Sequence, residues 1–346
     1  MTRPDRDVRP TIPIGQVDQL LLGARQRGLD PAPLLARAGI APALLAAPLA
    51  QVTQAQYAAL ARLLARRLRD ELWGLCPHAL PPGSFAQGLQ LMVRCATLGE
   101  AMALALRHYR LLLVDLRPRL RLQGELATVA FTPQGAAPDA AMEYALRALA
   151  FIGHGTLCWL AGRRVPLHAA NVPHQRLALA HAQRLFGAPV TQEPGWTGWR
   201  LDRAWLALPV VQTPAGAALL LRQAPAGLLL RYRDESGTVA QVRRILRRHL
   251  GGEAPTLEQV AAELGQAPQT LRRHLARDGE PGFRALRDAL RRDAAIEYLA
   301  RPQLTLAEIA QRLGFSEVST FHRAFRHWTG VAPGQYRLTR QQRPGG

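Results

Sequence analysis

A segment near the C-terminus occurs twice, and this duplication constrains the fold more than any bulk property of the chain. Thr256, Leu257, Val260, Ala261, Leu264 and Gly265 recur 49 positions later as Thr305, Leu306, Ile309, Ala310, Leu313 and Gly314. One inserted residue moves the offset to 50, and Thr270, Leu271, Arg273 and Leu275 then meet Thr320, Phe321, Arg323 and Phe325. Each copy reads as a helix, a glycine turn and a second helix. Thr256 with Gln259, and Thr305 with Glu308, have capping-box spacing, so the first helices start there. Gly265 and Gly314 stand where those helices must end in a left-handed residue, which a side chain resists by ~1–2 kcal/mol. The second helices are expected to begin at Ala267-Pro268 and at Ser316.

A helix pair joined by a short glycine turn, polar on the outside of its second helix, is the helix-turn-helix geometry that lays that second helix in a major groove. One copy would fit any helical hairpin; two capped copies are far more specific. With Leu271 and Leu275 facing inward, Gln269, Arg272, Arg273 and Ala276 fall on or beside the outer face. With Phe321 and Phe325 inward, Val318, Ser319, His322 and Arg323 take the corresponding places. Arginine can take guanine with two hydrogen bonds, glutamine can pair with adenine, and valine can touch a thymine methyl. Base contacts are therefore assigned to Gln269, Arg272, Arg273, Val318, Ser319, His322 and Arg323. Arg323 can contact a base or a phosphate, and His322 suits a base contact or a solvated surface position equally. The helix starts at Thr256 and Thr305, and the charges of Arg326 and Arg337, are assigned to phosphates.

Upstream, residues 16–72 read as helical, followed by helices over Gln87–Cys95 and Leu98–Leu113. The period then changes: Leu116, Pro118, Leu120 and Leu122 alternate with arginines, Gly124 and Glu125 break the run, and Thr128–Thr132 resumes it as a β-hairpin. A helix over 139–161, a strand over 163–172, a helix over His174–Phe186 and a strand over 196–201 complete an α+β first domain. Arg231–Thr238 is polar and reads as the boundary, and helical periodicity alone follows it. The expected organisation is a flexible N-terminus at 1–15, an α+β effector-binding or dimerisation domain at 16–235, and an all-α domain at 237–340. In the last, the helix-turn-helix units fall at 256–277 and 305–328 and a long helix, Phe283–Leu299, joins them.

The 346 residues carry 44 basic and 25 acidic side chains, a formal charge of +19 with no lysine at all. Arginine's fork suits phosphate and guanine, but the arginines occur along the whole chain, as codon usage in a GC-rich genome would leave them. The C-terminal 110 residues hold 18 arginines and 10 acids, net +8, and the first 236 hold 26 and 15, net +11. The charge favours an anionic partner without naming it. Three cysteines, Cys76, Cys95 and Cys158, without a CxxC spacing, argue against a disulfide framework or zinc ribbon. The apolar run Gly216–Leu230 is broken by Arg222 and Pro225, short of the ~20 residues a bilayer span needs, so no membrane role and a cytoplasmic location are expected. His154 and Cys158 could share a helix face, yet His168, His174 and His181 give no metal spacing, and neither metal nor cofactor is expected. No nucleophile elbow, Walker loop or His-Glu-x-x-His motif appears, so no catalytic residue is assigned.

The second copy, IAQRLGFSEVSTFHRAFRHWTGVAPGQYR from Ile309 to Arg337, resembles the AraC/XylS family of bacterial transcription regulators. The resemblance rests on Ala310, Gly314, Phe315, Ser316, Ser319, Phe321, Arg323, Phe325, Gly330, Pro333, Tyr336 and Arg337, with Ala332 where members often carry Ser or Thr. Pro82–Leu112, the hairpin after it and the stretch RLFGAPV at Arg184–Val190 resemble the effector domain of the ornithine-utilisation-regulator subgroup. The likeness implies two helix-turn-helix units inserting into successive major-groove segments of promoter DNA. It also implies a small-molecule effector and more often activation through RNA polymerase than repression, with homodimerisation as the alternative role of the first domain. Arg107, His108, Tyr109 and Arg110, with Trp196, Trp199 and Trp205, are the candidates for an effector site, or else solvated arginines and core tryptophans. A DNA-anchored repair enzyme with the same helical repeat is the rival reading; it would need a cysteine-rich metal cluster and a reactive cysteine motif, and neither is seen.

Overall fold

Residues 116–133 fold into a hairpin that forms one edge of a five-stranded sheet. In the computed structural model, which describes residues 10–135, 137–172, 179–223, 237–252, 254–277 and 282–341, β3 (Leu116–Gln123) pairs antiparallel with β4 (Leu126–Pro133) from Leu116↔Pro133 to Gln123↔Leu126. The sheet continues through β7 (Thr197–Asp202) and β5 (Ala169–Asn171) to β6 (Val190–Thr191), in the order β3-β4-β7-β5-β6. All its pairings are antiparallel except β5 with β6. Val129 and Trp199 are cross-strand neighbours buried on one face. The long helix α7 (Ala140–Leu160), started by the Asp139 side chain accepting from Met142 N, packs on that face, where Trp199 Nε1 donates to Ala150 O at 3.0 Å. Gly198 has no room for a side chain: a Cβ there would lie 2.0 Å from Val129 O.

The described residues form two compact units. One lies within Gln19–Pro31 and Ala61–Asp234; the other lies within Met1–Asp18, Ala32–Leu60 and Glu235–Gly346. The first holds the sheet, α2 (Leu22–Gln26), α5 (Ser84–Met92), α6 (Leu98–Leu112), α7, α8 (Leu179–Phe186) and α9 (Pro214–Gln223). Its loop at 70–85 is wound on two carboxylates. Buried Asp70 accepts from Leu72 N, Gly74 N and Leu80 N at 2.7–2.8 Å, and Glu71 accepts from Gly83 N and Phe85 N at 2.6 and 2.8 Å. The Arg27 guanidinium closes the same loop on Gly74 O and Cys76 O.

The second unit contains β1 (Ile12–Pro13) paired antiparallel with β2 (Gln51–Val52), α3 (Ala32–Arg37) and seven helices of the C-terminal region. These are α10 (Thr238–Arg248), α11 (Leu257–Glu263), α12 (Pro268–Arg277), α13 (Phe283–Leu299), α14 (Leu306–Arg312), α15 (Val318–Thr329) and α16 (Pro333–Gln341). Helices α1 (Ile14–Leu20) and α4 (Gln54–Leu68) each begin in this unit and end in the other.

Several expectations change. Residues 32–60, read as part of the first domain, cluster with the C-terminal helices, where Gln51 O accepts from the Tyr336 hydroxyl and Gly39, Ala41 and Leu44 face Ile296, Leu299 and Tyr336. Residues 12–15, expected to be flexible, form β1 and the start of α1; residues 1–9 lie outside the described residues. The strand over 163–172 shortens to 169–171, and α5 starts at Ser84, ahead of Gln87. The helix at His174–Phe186 is described only from Leu179, and the boundary Arg231–Thr238 lies mostly outside the described residues.

Candidate nucleic-acid interface

Both capping boxes form as the spacing requires. Thr256 Oγ1 accepts from Gln259 N at 3.2 Å while Gln259 Oε1 accepts from Thr256 N at 2.8 Å. Thr305 Oγ1 accepts from Glu308 N at 3.2 Å, and Glu308 Oε2 accepts from Thr305 N at 2.7 Å. Gly265 and Gly314 take φ of +65° and +75°, ending α11 and α14 in the left-handed region. Helix α12 starts at Pro268, a position where proline costs no hydrogen bond. Helix α15 starts at Val318 with Glu317 as its cap, two residues later than Ser316.

Each pair closes on its own apolar seam. Leu271 and Leu275 of α12 are fully buried with Val242, Ile245, Leu246, Val260, Ala261, Leu286 and Leu290, so α10 and α13 complete the first core. In the second, Phe321 and Phe325 are fully buried; Phe315 lies 5.7 Å from Phe321, and Tyr336 stands edge-on to Phe325 at 5.5 Å. Arg291 of α13 sits 5.3 Å over the Phe315 ring, and burial, with Arg287 beside it, lowers its pKa. The turn at Gly314 also meets the turn that precedes α11: a Cβ on Gly314 would lie 2.7 Å from Gly252 O, and one on Gly251 would lie 3.2 Å from Arg312 O.

This packing leaves two polar outer faces. On α12, Gln269, Arg272, Arg273 and Ala276 are all exposed. Arg272 Nη2 stands 3.7 Å from Glu258, but with about 60% of both side chains in solvent the pair holds it weakly. On α15, Val318, Ser319, Arg323 and Arg326 are exposed. Ser319 Oγ donates to Glu317 Oε2 at 2.9 Å and Arg323 Nη2 to Thr320 Oγ1 at 3.5 Å.

Three of the assigned residues differ from the others in their surroundings. His322 is half-buried, and its Nε2 is shielded with no hydrogen-bond partner among the described residues, so it is no freely solvated histidine. Arg337 is half-buried with Nε and Nη2 shielded, whereas Arg326 is exposed. The Thr305 hydroxyl donates to Glu308 Oε2 at 2.9 Å, and the same hydrogen bonds hold that carboxylate below the usual range. An anionic carboxylate at this helix start opposes a phosphate there. Sequence reasoning missed Arg244 and Arg248 of α10, which with Gln241, Ile245, Glu263 and Leu264 line a groove of about 470 Å³. The signal was present in two Arg-Arg pairs four residues apart, 243–244 and 247–248.

The four effector candidates do not converge. Arg107 and Arg110 are exposed, whereas His108 Nε2 meets Ser84 O at 3.1 Å and Tyr109 packs on α5, its phenol pKa raised by burial and by Glu71. Consecutive helix positions point around the axis, so four in a row cannot share one wall. Trp199 is core, and Trp196 and Trp205 carry Arg200 and Arg163 over their rings at 5.0 and 5.3 Å. His154 and Cys158 lie 3.4 Å apart, but His154 Nε2 is tied to Val165 O at 2.9 Å, and burial lowers the histidine pKa to about 4. Among the described residues, no group of three or more His, Cys, Asp and Glu could hold a metal ion, and no helix is long and apolar enough to cross a membrane.

Residues 28–210 match the arabinose-binding domain of AraC transcription regulator, N-term, and residues 260–339 match a helix-turn-helix domain. The chain is 30% identical to the ornithine utilization regulator of Pseudomonas aeruginosa over 97% of its own length and 99% of that protein's. This chain belongs to the AraC family. This AraC-family regulator is a DNA-binding transcription regulator with an effector-binding domain. It is also 32% identical to the transcriptional activator NphR of Rhodococcus sp over 29% of each chain. Among solved structures, the transcriptional regulator CdpR from Pseudomonas aeruginosa is similar at 23% identity, covering 94% of this chain and 97% of that one with a TM-score of 0.33.

Proposed function

We propose that α12 and α15 are the reading helices of this AraC-family regulator and enter successive major-groove segments about ten base pairs apart. The observation that carries this reading is the pair of capped, left-handed-turn units, each with a buried seam and a polar outer face. Gln269, Arg272 and Arg273 read the first segment, and Val318, Ser319 and Arg323 the second, with His322 beside them at the edge of its ring. Thr256 and Arg326 hold register on phosphates. A small molecule bound in the domain matched by residues 28–210 shifts promoter affinity by binding one state of the protein more tightly than the other. Of the charges placed at the end of α6, Arg107 and Arg110 are open to an anionic effector. Activation through RNA polymerase is the favoured direction of control, in keeping with the name of the NphR relative.

The test is operator selection followed by footprinting and titration of Arg272→Ala. The variant loses ~1–3 kcal/mol on its selected site and relaxes preference at one position. Equal losses on selected and random DNA refute base reading by Arg272.

A further inference from the structure

The structure places Gln51, a residue far from either reading helix in sequence, at the centre of a hydrogen-bonded clasp on the second helix-turn-helix unit. All of its members belong to one compact unit. Thr11 Oγ1 donates its single hydrogen to Asp293 Oδ1 at 2.6 Å. With the Gln51 amide oriented nitrogen toward Thr11, that nitrogen donates to Thr11 Oγ1 at 2.5 Å, and the amide oxygen accepts from Arg292 Nη1 and Nη2 at 2.9 and 3.2 Å. Every hydrogen then has one acceptor, which the opposite orientation cannot provide, because it sets two acceptors on one hydroxyl hydrogen. Arg292 and Asp293 keep only 23% and 15% of their side chains in solvent and pair at 3.1 Å. The main-chain oxygen of Gln51 accepts from the Tyr336 hydroxyl.

The partners decide what the clasp does. Arg292 and Asp293 lie on α13, the helix that joins the two reading units, and Tyr336 lies on α16. The Tyr336 ring stands edge-on to Phe325, the inward anchor of α15, at 5.5 Å. Gln51 thus ties α13 to α16, and through Tyr336 and Phe325 to the helix proposed to read the second segment. Apolar contact reinforces the tie: Gly39, Ala41 and Leu44 face Ile296, Leu299 and Tyr336 across a narrow shared cavity.

We propose that the Thr11–Gln51 ribbon is a positioning element for the second reading helix, and that Gln51 and Tyr336 set base discrimination at the second DNA segment alone. The inference rests on α12 and α15 reading separate segments. A segment of the effector-domain match, residues 32–60, thereby becomes part of the machinery that aims a reading helix.

The experiment uses the full chain with Thr11→Val, Gln51→Ala and Tyr336→Phe, plus Thr11→Ser as the variant that keeps the hydroxyl. Affinity is measured on the selected operator and on operators mismatched in the first or the second segment. The wild-type chain must penalise mismatches in both segments; if it does not, the two-segment reading fails before the clasp is tested. Given that, Gln51→Ala and Tyr336→Phe are expected to reduce the second-segment mismatch penalty at least fivefold and leave the first within twofold. Thr11→Val shows the same pattern, and Thr11→Ser restores the wild-type penalty. Equal losses at both segments, or no change at either, overturn the proposal. Native-state hydrogen exchange on the same proteins separates an unfolded α15 from a misaimed one: loss of protection in α15 matching the binding loss also overturns it.

Discussion

Replacing Gly314 with alanine tests how closely the two helix-turn-helix units depend on backbone contact, and Gly265 supplies the internal comparison. Both glycines end the first helix of their unit in the left-handed region, at φ of +75° and +65°. A side chain there costs ~1–2 kcal/mol from backbone strain alone. Around Gly265 nothing lies within 4 Å of the position a Cβ would take, so Gly265→Ala stops at that cost. At Gly314 the new methyl would lie 2.7 Å from Gly252 O, a backbone atom that can move only with the turn before α11. Overpacking of this kind adds ~1–3 kcal/mol, so Gly314→Ala costs about 2–5 kcal/mol in all. Native-state hydrogen exchange, followed on peptides from α11–α12 and α14–α15, reads each loss in its own unit. Gly314→Ala also loosens the 250–252 turn, which Gly265→Ala leaves intact. Equal losses for the two variants, or a larger one at Gly265, would refute the idea that the second turn is fixed by contact with the first unit.

Acid titration gives a second expectation, since His154 has its pKa lowered to about 4 by burial, from an ordinary value of 6.5. Between those values the unfolded chain binds a proton that the fold refuses, so the contribution is full above pH 6.5 and is lost as pH falls toward 4, on the order of 3 kcal/mol. His154→Gln keeps a donor for Val165 O and flattens this part of the stability–pH curve; an unchanged curve counts against neutral, buried His154. Thiol labelling of the native chain at pH 8 should modify Cys95 first. Burial pushes Cys76 up to about 12 and raises Cys158; burial and Glu100 raise Cys95 as well, but it alone of the three is only partly covered. Rapid labelling of Cys158 would show that the α7 packing opens readily. Promoter binding should weaken linearly in log–log form with salt, by ~0.9 per phosphate neutralised, and a flat titration would argue against phosphate contacts from Arg326 and its neighbours.

The duplicated unit was legible because its determinants are local. Thr256, Gln259 and Gly265, and their counterparts Thr305, Glu308 and Gly314, act within one helical turn of themselves, so spacing alone placed the caps and turns. The joining helix at Phe283–Leu299 was legible through one helical period, and the hairpin at 116–133 through alternation on either side of Gly124-Glu125. Less was legible where a residue's role depends on a distant partner. Asp70 and Glu71 look like ordinary surface acids in the sequence, yet they organise the loop at 70–85 through five main-chain amides. The four consecutive effector candidates from Arg107 to Arg110 were grouped by adjacency, which a helix disperses.

The outward-facing residues of α12 and α15 lay between these extremes. Helical periodicity put Gln269, Arg272, Arg273, Val318, Ser319 and Arg323 on the outer faces, where the structure has them exposed. It could not foresee that His322 and Arg337 would have nitrogens shielded by neighbouring elements.

By itself the sequence determined the two-fold repeat, its capped helices and left-handed turns, and the division into an α+β part and a helical part, because each follows from the spacing of nearby residues. Only the tertiary structure decided that residues 32–60 fold with the C-terminal helices, that Gly314 lies against Gly252, and that Gln51 holds both Arg292 and Tyr336. Those contacts join positions 62 to 285 residues apart, and no periodic pattern records which distant groups will meet when burial must satisfy every hydrogen-bonding atom at once.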